Sequence, residues 1–130
     1  MTTQVSSKPT EEQVGLAVET FKLLADPTRL RILWALLHGE HSVGNLAVHV
    51  GAAPPAVSQH LAKLRLARLV KSRRHGTYVF YMAENAHVRQ LVEQALSHAD
   101  HLVRSLPDHG DKPPAARTSV PRARSRRSTP

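Results

Sequence analysis

Apolar residues recur at helical spacing from the start of the chain. Over residues 12–24, Val14, Ala17, Val18, Phe21 and Leu24 fall along one stripe, which predicts a first helix. Asp26-Pro27 then reads as a helix start, because Asp accepts from the free N–H groups of a first turn and Pro fits the first helical position. That second helix runs to about His38, with Leu30, Leu33, Trp34 and Leu37 as its inward positions and Gly39 as its stop. Ser42 caps a short third helix that Gly51 closes. After a turn over residues 52–55, Pro55 opens a fourth helix through Leu66, with Val57, Leu61 and Leu64 as its stripe.

The period then changes from helical to alternating. Leu69 to Ser72 reads as a short strand, Arg73 to Gly76 as a turn, and Thr77 to Met82 as a strand rich in β-branched and aromatic residues. A last helix, about Glu84 to Leu106, carries Val88, Leu91, Val92, Ala95, Leu96, Ala99, Leu102 and Val103, and Pro107 ends it. The predicted fold is mainly α with a small β-hairpin. Its order, with a short helix, a Pro-containing turn, a further helix and then a basic-tipped hairpin, is that of a winged helix-turn-helix.

In that fold the fourth helix enters the major groove. Its polar side offers Ser58, Gln59, His60, Lys63 and Arg65. Gln can bridge N6 and N7 of adenine, Ser pairs with several bases, and Lys neutralises phosphate. The hairpin tip, with Arg73 and Arg74 between Lys71 and His75, places charge where a wing reaches the neighbouring groove or backbone. The expected partner is double-stranded operator DNA.

Charge refines this picture once it is located. The chain of 130 residues has a net charge of +8, but Lys112, Arg117, Arg122, Arg124, Arg126 and Arg127 face only Asp111 in the last twenty positions. Residues 1–110 are therefore only mildly basic. The organisation read from composition is a flexible start over 1–11, one folded domain over 12–109, and a disordered Pro- and Arg-rich tail over 110–130. Such a tail is either a solvated end or a non-specific clamp on phosphate. No run of about 20 apolar residues exists to span a bilayer, and no signal-like segment leads the chain, so a cytoplasmic protein is expected. There is no Gly-rich phosphate loop, no H-E-x-x-H and no Ser-centred elbow, which argues against an enzyme.

Three motifs together, L-A-D-P-T-R-L-R-I-L at Leu24 to Leu33, V-S-Q-H-L-x-x-L-R at Val57 to Arg65 and R-x-G-x-x-V-x-Y at Arg74 to Tyr81, resemble the ArsR/SmtB family of bacterial metal-responsive repressors. The resemblance covers about residues 14–109. It implies a homodimer formed through the terminal helices, which represses its operon and releases DNA when an inducer binds.

The chemistry of the inducer is narrowed by what is missing. The chain has no Cys, so a thiolate site for arsenic, cadmium, lead or copper(I) is excluded. The last helix offers imidazoles instead. His87 and His98 are eleven residues apart, about 1100° of helix, and so share a stripe, while His98 and His101 are three apart and can chelate together. His87 and His101 stand about 21 Å apart along the axis, against metal–nitrogen bonds of about 2 Å, so one helix cannot bring all three to one ion. Two antiparallel copies can, with His87 of one facing His98 and His101 of the other. The family pattern D-x-H-x10-H-x2-H is matched except that Asn85 stands at the Asp position. Resemblance to the family's nickel/cobalt sensors adds Asp100 and His109 as ligands, with Gly110 where a further His would be. More than four nitrogen and oxygen ligands favour octahedral nickel or cobalt as inducer over zinc. His38, His41 and His49 read as ordinary surface histidines, and His60 and His75 as DNA-facing. A zinc-responsive or non-metal-responsive member of the family, or a general basic DNA-coating protein, stand as the alternatives.

Overall fold

A computed structural model describes residues 8–107. Helix α1 (Glu11–Leu24) begins one residue before its apolar pattern because Thr10 and Gln13 form a reciprocal capping box. Helix α2 (Pro27–Leu37) starts as its sequence predicts, with Asp26 as N-cap and Pro27 first in the helix. Helix α3 (Val43–Val50) is capped by Ser42 and closed by Gly51 in the left-handed conformation. Helix α4 (Pro54–Leu66) opens at Pro54 rather than Pro55, so both prolines occupy positions whose N–H groups have no intrahelical partner.

Strands β1 (Val70–His75) and β2 (Tyr78–Ala83) pair antiparallel from Val70↔Ala83 to His75↔Tyr78. Strand β1 reaches further than the sequence suggests, and β2 is shifted one residue later, with Thr77 in the turn. The turn is only Gly76-Thr77, with Gly76 at φ 65°, so Arg73 and Arg74 lie in β1 and not in the loop. An isolated bridge from His41 to Tyr81 fixes the hairpin to the connection between α2 and α3. Helix α5 (Ala86–Ser105) completes the order. The architecture is a mostly helical winged helix-turn-helix, with α3 and α4 as the helix-turn-helix and β1–β2 as the wing.

The described chain divides into two compact units, up to Leu96 and from Ser97 onward. The core belongs to the first, where Ile32, Leu33, Leu46, Val57, Leu61, Leu64, Val70 and Val92 are fully buried. Leu33 and Leu37 of α2 are buried as expected and Leu30 packs against the core, but Trp34, expected inside, is 49% exposed, and Ile32, Ala35 and Leu36 are buried in addition. Arg89 donates to the Leu37 carbonyl at 2.7 Å and so caps the end of α2. In the second unit Arg104 pairs with Asp100 at 2.9 Å and Ser105 donates to the His101 carbonyl at 2.8 Å.

Candidate functional site

Helix α4 buries Val57, Leu61 and Leu64. At about 100° per residue, the side opposite that stripe carries Gln59, Ala62 and Leu66, flanked by Ser58 and Lys63. Ser58, Gln59, Lys63 and Arg65 are all exposed, so four of the five expected DNA-facing residues on this helix project to solvent.

His60 is different. It stands about 60° from the centre of the buried stripe and is half-buried. Its Nδ1 lies 3.2 Å from Nη1 of Arg29, whose Nε donates to the Leu23 carbonyl at 2.7 Å. The Arg29 backbone N–H donates to Asp26 at 2.9 Å, and that bond holds the Asp26 carboxyl below its ordinary range. The motif D-P-T-R, with Asp and Arg three apart at a helix start, was the available sign of this arrangement; its long-range partner was not visible in the sequence.

The wing separates its two arginines. Arg73 lies 2.9 Å from Glu40 through Nη2, donates to the same carboxylate through Nε at 3.0 and 3.1 Å, and sits 5.3 Å from the Phe80 ring centroid. The ion pair pushes Glu40 down and Arg73 up from their ordinary values. Arg73 is thereby a clasp between the wing and the connection after α2, with much of its charge offset. Among the described basic residues of the wing, Lys71, Arg74 and His75 are exposed and have no such counter-ion.

Two of the three histidines expected to be ordinary surface groups form a pair. The rings of His41 and His49 have centroids 4.8 Å apart, and the buried His41 Nδ1 has no hydrogen-bond partner. Burial, then the neighbouring His49, lowers the His41 pKa.

On α5, His87, His98, Asp100 and His101 are all exposed. Asn85 sits just before the helix and its side-chain oxygen accepts from the Val88 N–H at 3.1 Å, so it acts as an N-cap. Among the described residues of one chain, no three His, Asp or Glu side chains converge on a point where an ion could sit. Asp100 is engaged by Arg104. His109 and the basic tail lie outside the described residues.

A family model described as bacterial regulatory protein, arsR family, matches residues 26–72. Over 99 residues the chain is 54% identical to the HTH-type transcriptional regulator KmtR of Mycobacterium tuberculosis, covering 76% of each. It is 38% identical over 103 residues to the HTH-type transcriptional regulator NmtR of the same organism, covering 78% of this chain and 86% of that one. Among solved structures it resembles Mb0332 from Mycobacterium bovis, a homodimeric winged helix-turn-helix DNA-binding domain described as a possible ArsR-family regulator. There the TM-score is 0.69 at 26% identity, covering 80% of this chain and 99% of that one.

Proposed function

Because the chain belongs to the ArsR family of bacterial regulatory proteins, we propose that it is a homodimeric repressor that releases operator DNA on binding nickel or cobalt. Its relatives and fold are those of DNA-binding transcriptional regulators and not of enzymes. Within the described residues no helix is long and apolar enough to cross a membrane.

The reading of the metal rests on one observation. Helix α5 exposes three imidazoles, His87, His98 and His101, in a chain without a single thiolate. Imidazole with carboxylate suits nickel, cobalt or zinc, and the donors fit such an ion only if a second copy contributes. His87 of one subunit with His98 and His101 of the other would hold it, with Asp100 and His109 completing a higher coordination number. A bound ion supplies a bridge between subunits. Asn85 is a neutral donor in place of a carboxylate, and its oxygen already accepts from the Val88 N–H as the helix cap.

A zinc response is favoured by a different detail. While Asp100 stays with Arg104, the oxygen count falls and a nitrogen-rich set suits four-coordinate zinc.

For DNA, Ser58, Gln59 and Lys63 meet base edges and phosphate in the major groove, while Arg65 and Arg74 add backbone contacts. The test is fluorescence anisotropy of labelled operator titrated with nickel, cobalt and zinc. His87→Ala and His101→Ala are expected to leave the metal-free affinity near wild type and to abolish release. His109→Ala and Asp100→Ala are expected to weaken the response and move preference toward zinc. Unchanged operator affinity with every metal sinks the sensor reading. A full response in His87→Ala moves the site off α5.

A further inference from the structure

Arg29 stands where three parts of the chain meet. Its Nε engages the last turn of α1 through the Leu23 carbonyl at 2.7 Å, and its backbone N–H is held by Asp26, the N-cap of α2, at 2.9 Å. Its Nη1 meets His60 of α4 at 3.2 Å. A guanidinium only donates, so the His60 Nδ1 accepts and the ring carries its proton on Nε2. Arg29 and His60 are both half-buried, which shields the contact from competing water.

The stripe of Val57, Leu61 and Leu64 sets how deeply α4 sits, but apolar packing is non-directional and specifies rotation about the helix axis weakly. A polar contact at the margin of the stripe specifies it well. Side-chain tips lie about 5–6 Å from a helix axis, so a 20° rotation displaces them by about 2 Å. That exceeds the useful range of a hydrogen bond, which spans about 2.7–3.2 Å.

We propose that Asp26, Arg29 and His60 form a clasp that fixes the rotation of α4 and ties it to the end of α1, with His60 a positioning residue and not a reader of bases. Arg29 then passes any shift of α1 directly to the DNA-facing helix. The proposal rests on α4 being the helix that reads DNA, and the experiment separates the two.

Asparagine places its side-chain amide near the Nδ1 position of histidine, and glutamine places it near Nε2. His60→Asn therefore keeps an acceptor for Arg29, while His60→Gln keeps only the outward-facing group. Operator affinity of the full chain is measured by anisotropy, at a temperature where circular dichroism shows native helix content for every variant. His60→Asn is expected within about threefold of wild type, and His60→Gln and Arg29→Ala each about tenfold weaker, the loss that one hydrogen bond of ordinary net worth represents. Combining Arg29→Ala with His60→Ala is expected to cost no more than Arg29→Ala alone, because the contact that His60→Ala removes is already lost with Arg29. Affinity for random DNA, carried by phosphate contacts, is expected to stay near wild type in all of them. Wild-type affinity in His60→Gln with loss in His60→Asn makes His60 a base reader and overturns the clasp, as do additive losses in the double variant. Gln59→Ala is the control for the underlying reading: lost discrimination there, with wild-type behaviour in every Arg29 and His60 variant, overturns the clasp alone, whereas discrimination between operator and random DNA that survives Ser58→Ala, Gln59→Ala and Lys63→Ala together overturns the reading of α4 as well.

Discussion

At the scale of single residues, specificity and pH response fall to different side chains. Gln59 is exposed on the side of α4 opposite its buried stripe, and among the described residues its side chain makes no hydrogen bond that would have to break. Gln59→Ala is expected to cost about 1–3 kcal/mol on operator DNA and little on random DNA, measured as the ratio of the two dissociation constants. The pH response follows from three groups whose values the fold lowers. His41 is lowered from 6.5 by burial and His49, so the unfolded chain binds the extra proton first. Stability is therefore expected to fall as pH drops below 6.5. Asp26 and Glu40 are lowered from 3.8 and 4.5, so what they contribute is present above those values and lost as pH falls through their folded pKa values. Denaturant unfolding across pH should show two descending steps. His41→Phe should remove only the upper one and Glu40→Gln should shrink only the lower one. An unchanged upper step in His41→Phe would assign it to other histidines. Of these roles only that of Gln59 could be read in the sequence. The face proposed for DNA lies within one helix, whereas the Glu40–Arg73 and Arg29–His60 pairs join residues 33 and 31 positions apart and exist only once the chain has folded.

At the scale of elements, local chemistry made most boundaries legible, and its omissions are equally physical. Asp26-Pro27, Ser42 and Gly51 act where their cap preferences place them. The hairpin turn is shorter than the sequence suggests, because charge does not exclude Arg73 and Arg74 from an exposed strand of a two-stranded sheet. The end of α4 gave no glycine signal because Arg68 takes the left-handed conformation there, at φ 62°. The Arg68 N–H bonds to the Arg65 carbonyl at 3.0 Å and the Leu69 N–H to the Leu64 carbonyl at 2.8 Å, which is a Schellman closure with a non-glycine residue at its strained position. Arg68→Gly relieves that strain and is expected to stabilise the fold by about 1 kcal/mol. If Arg68 also meets phosphate, the same change weakens operator and random DNA alike, and the dependence of binding on salt becomes shallower. A lowered melting temperature would show that the arginine side chain contributes more to the fold than its backbone costs.

At the scale of the molecule, the periodic apolar positions of the terminal helices divide by whether one chain can cover them. Helix α1 buries no residue at all, and Phe21 is 58% exposed. On α5 only Val88 and Val92 are buried, while Leu102 and Val103 remain exposed. Periodicity shows that a face is apolar and not what it packs against, which is why these positions read from the sequence as core. For α1, the homodimer proposed above would supply that cover from a second copy of the chain, and on that reading Phe21→Glu is expected to yield monomers by sedimentation. The same variant tests the link between assembly and regulation. If metal sites form only between two copies, Phe21→Glu should lose tight metal binding although every ligand remains. If metal releases operator from the dimer as proposed, the coupling must be reciprocal: DNA weakens metal binding by the factor by which metal weakens DNA binding. Affinity alone cannot drive release, because an ion that binds both dimer shapes equally shifts nothing. Calorimetric titration of nickel into the dimer, with and without saturating operator, measures one side of that balance and anisotropy measures the other. Equal factors are expected. Metal affinity indifferent to DNA would show that the ion stabilises the dimer without selecting its shape, and the α5 histidines would then be a structural site.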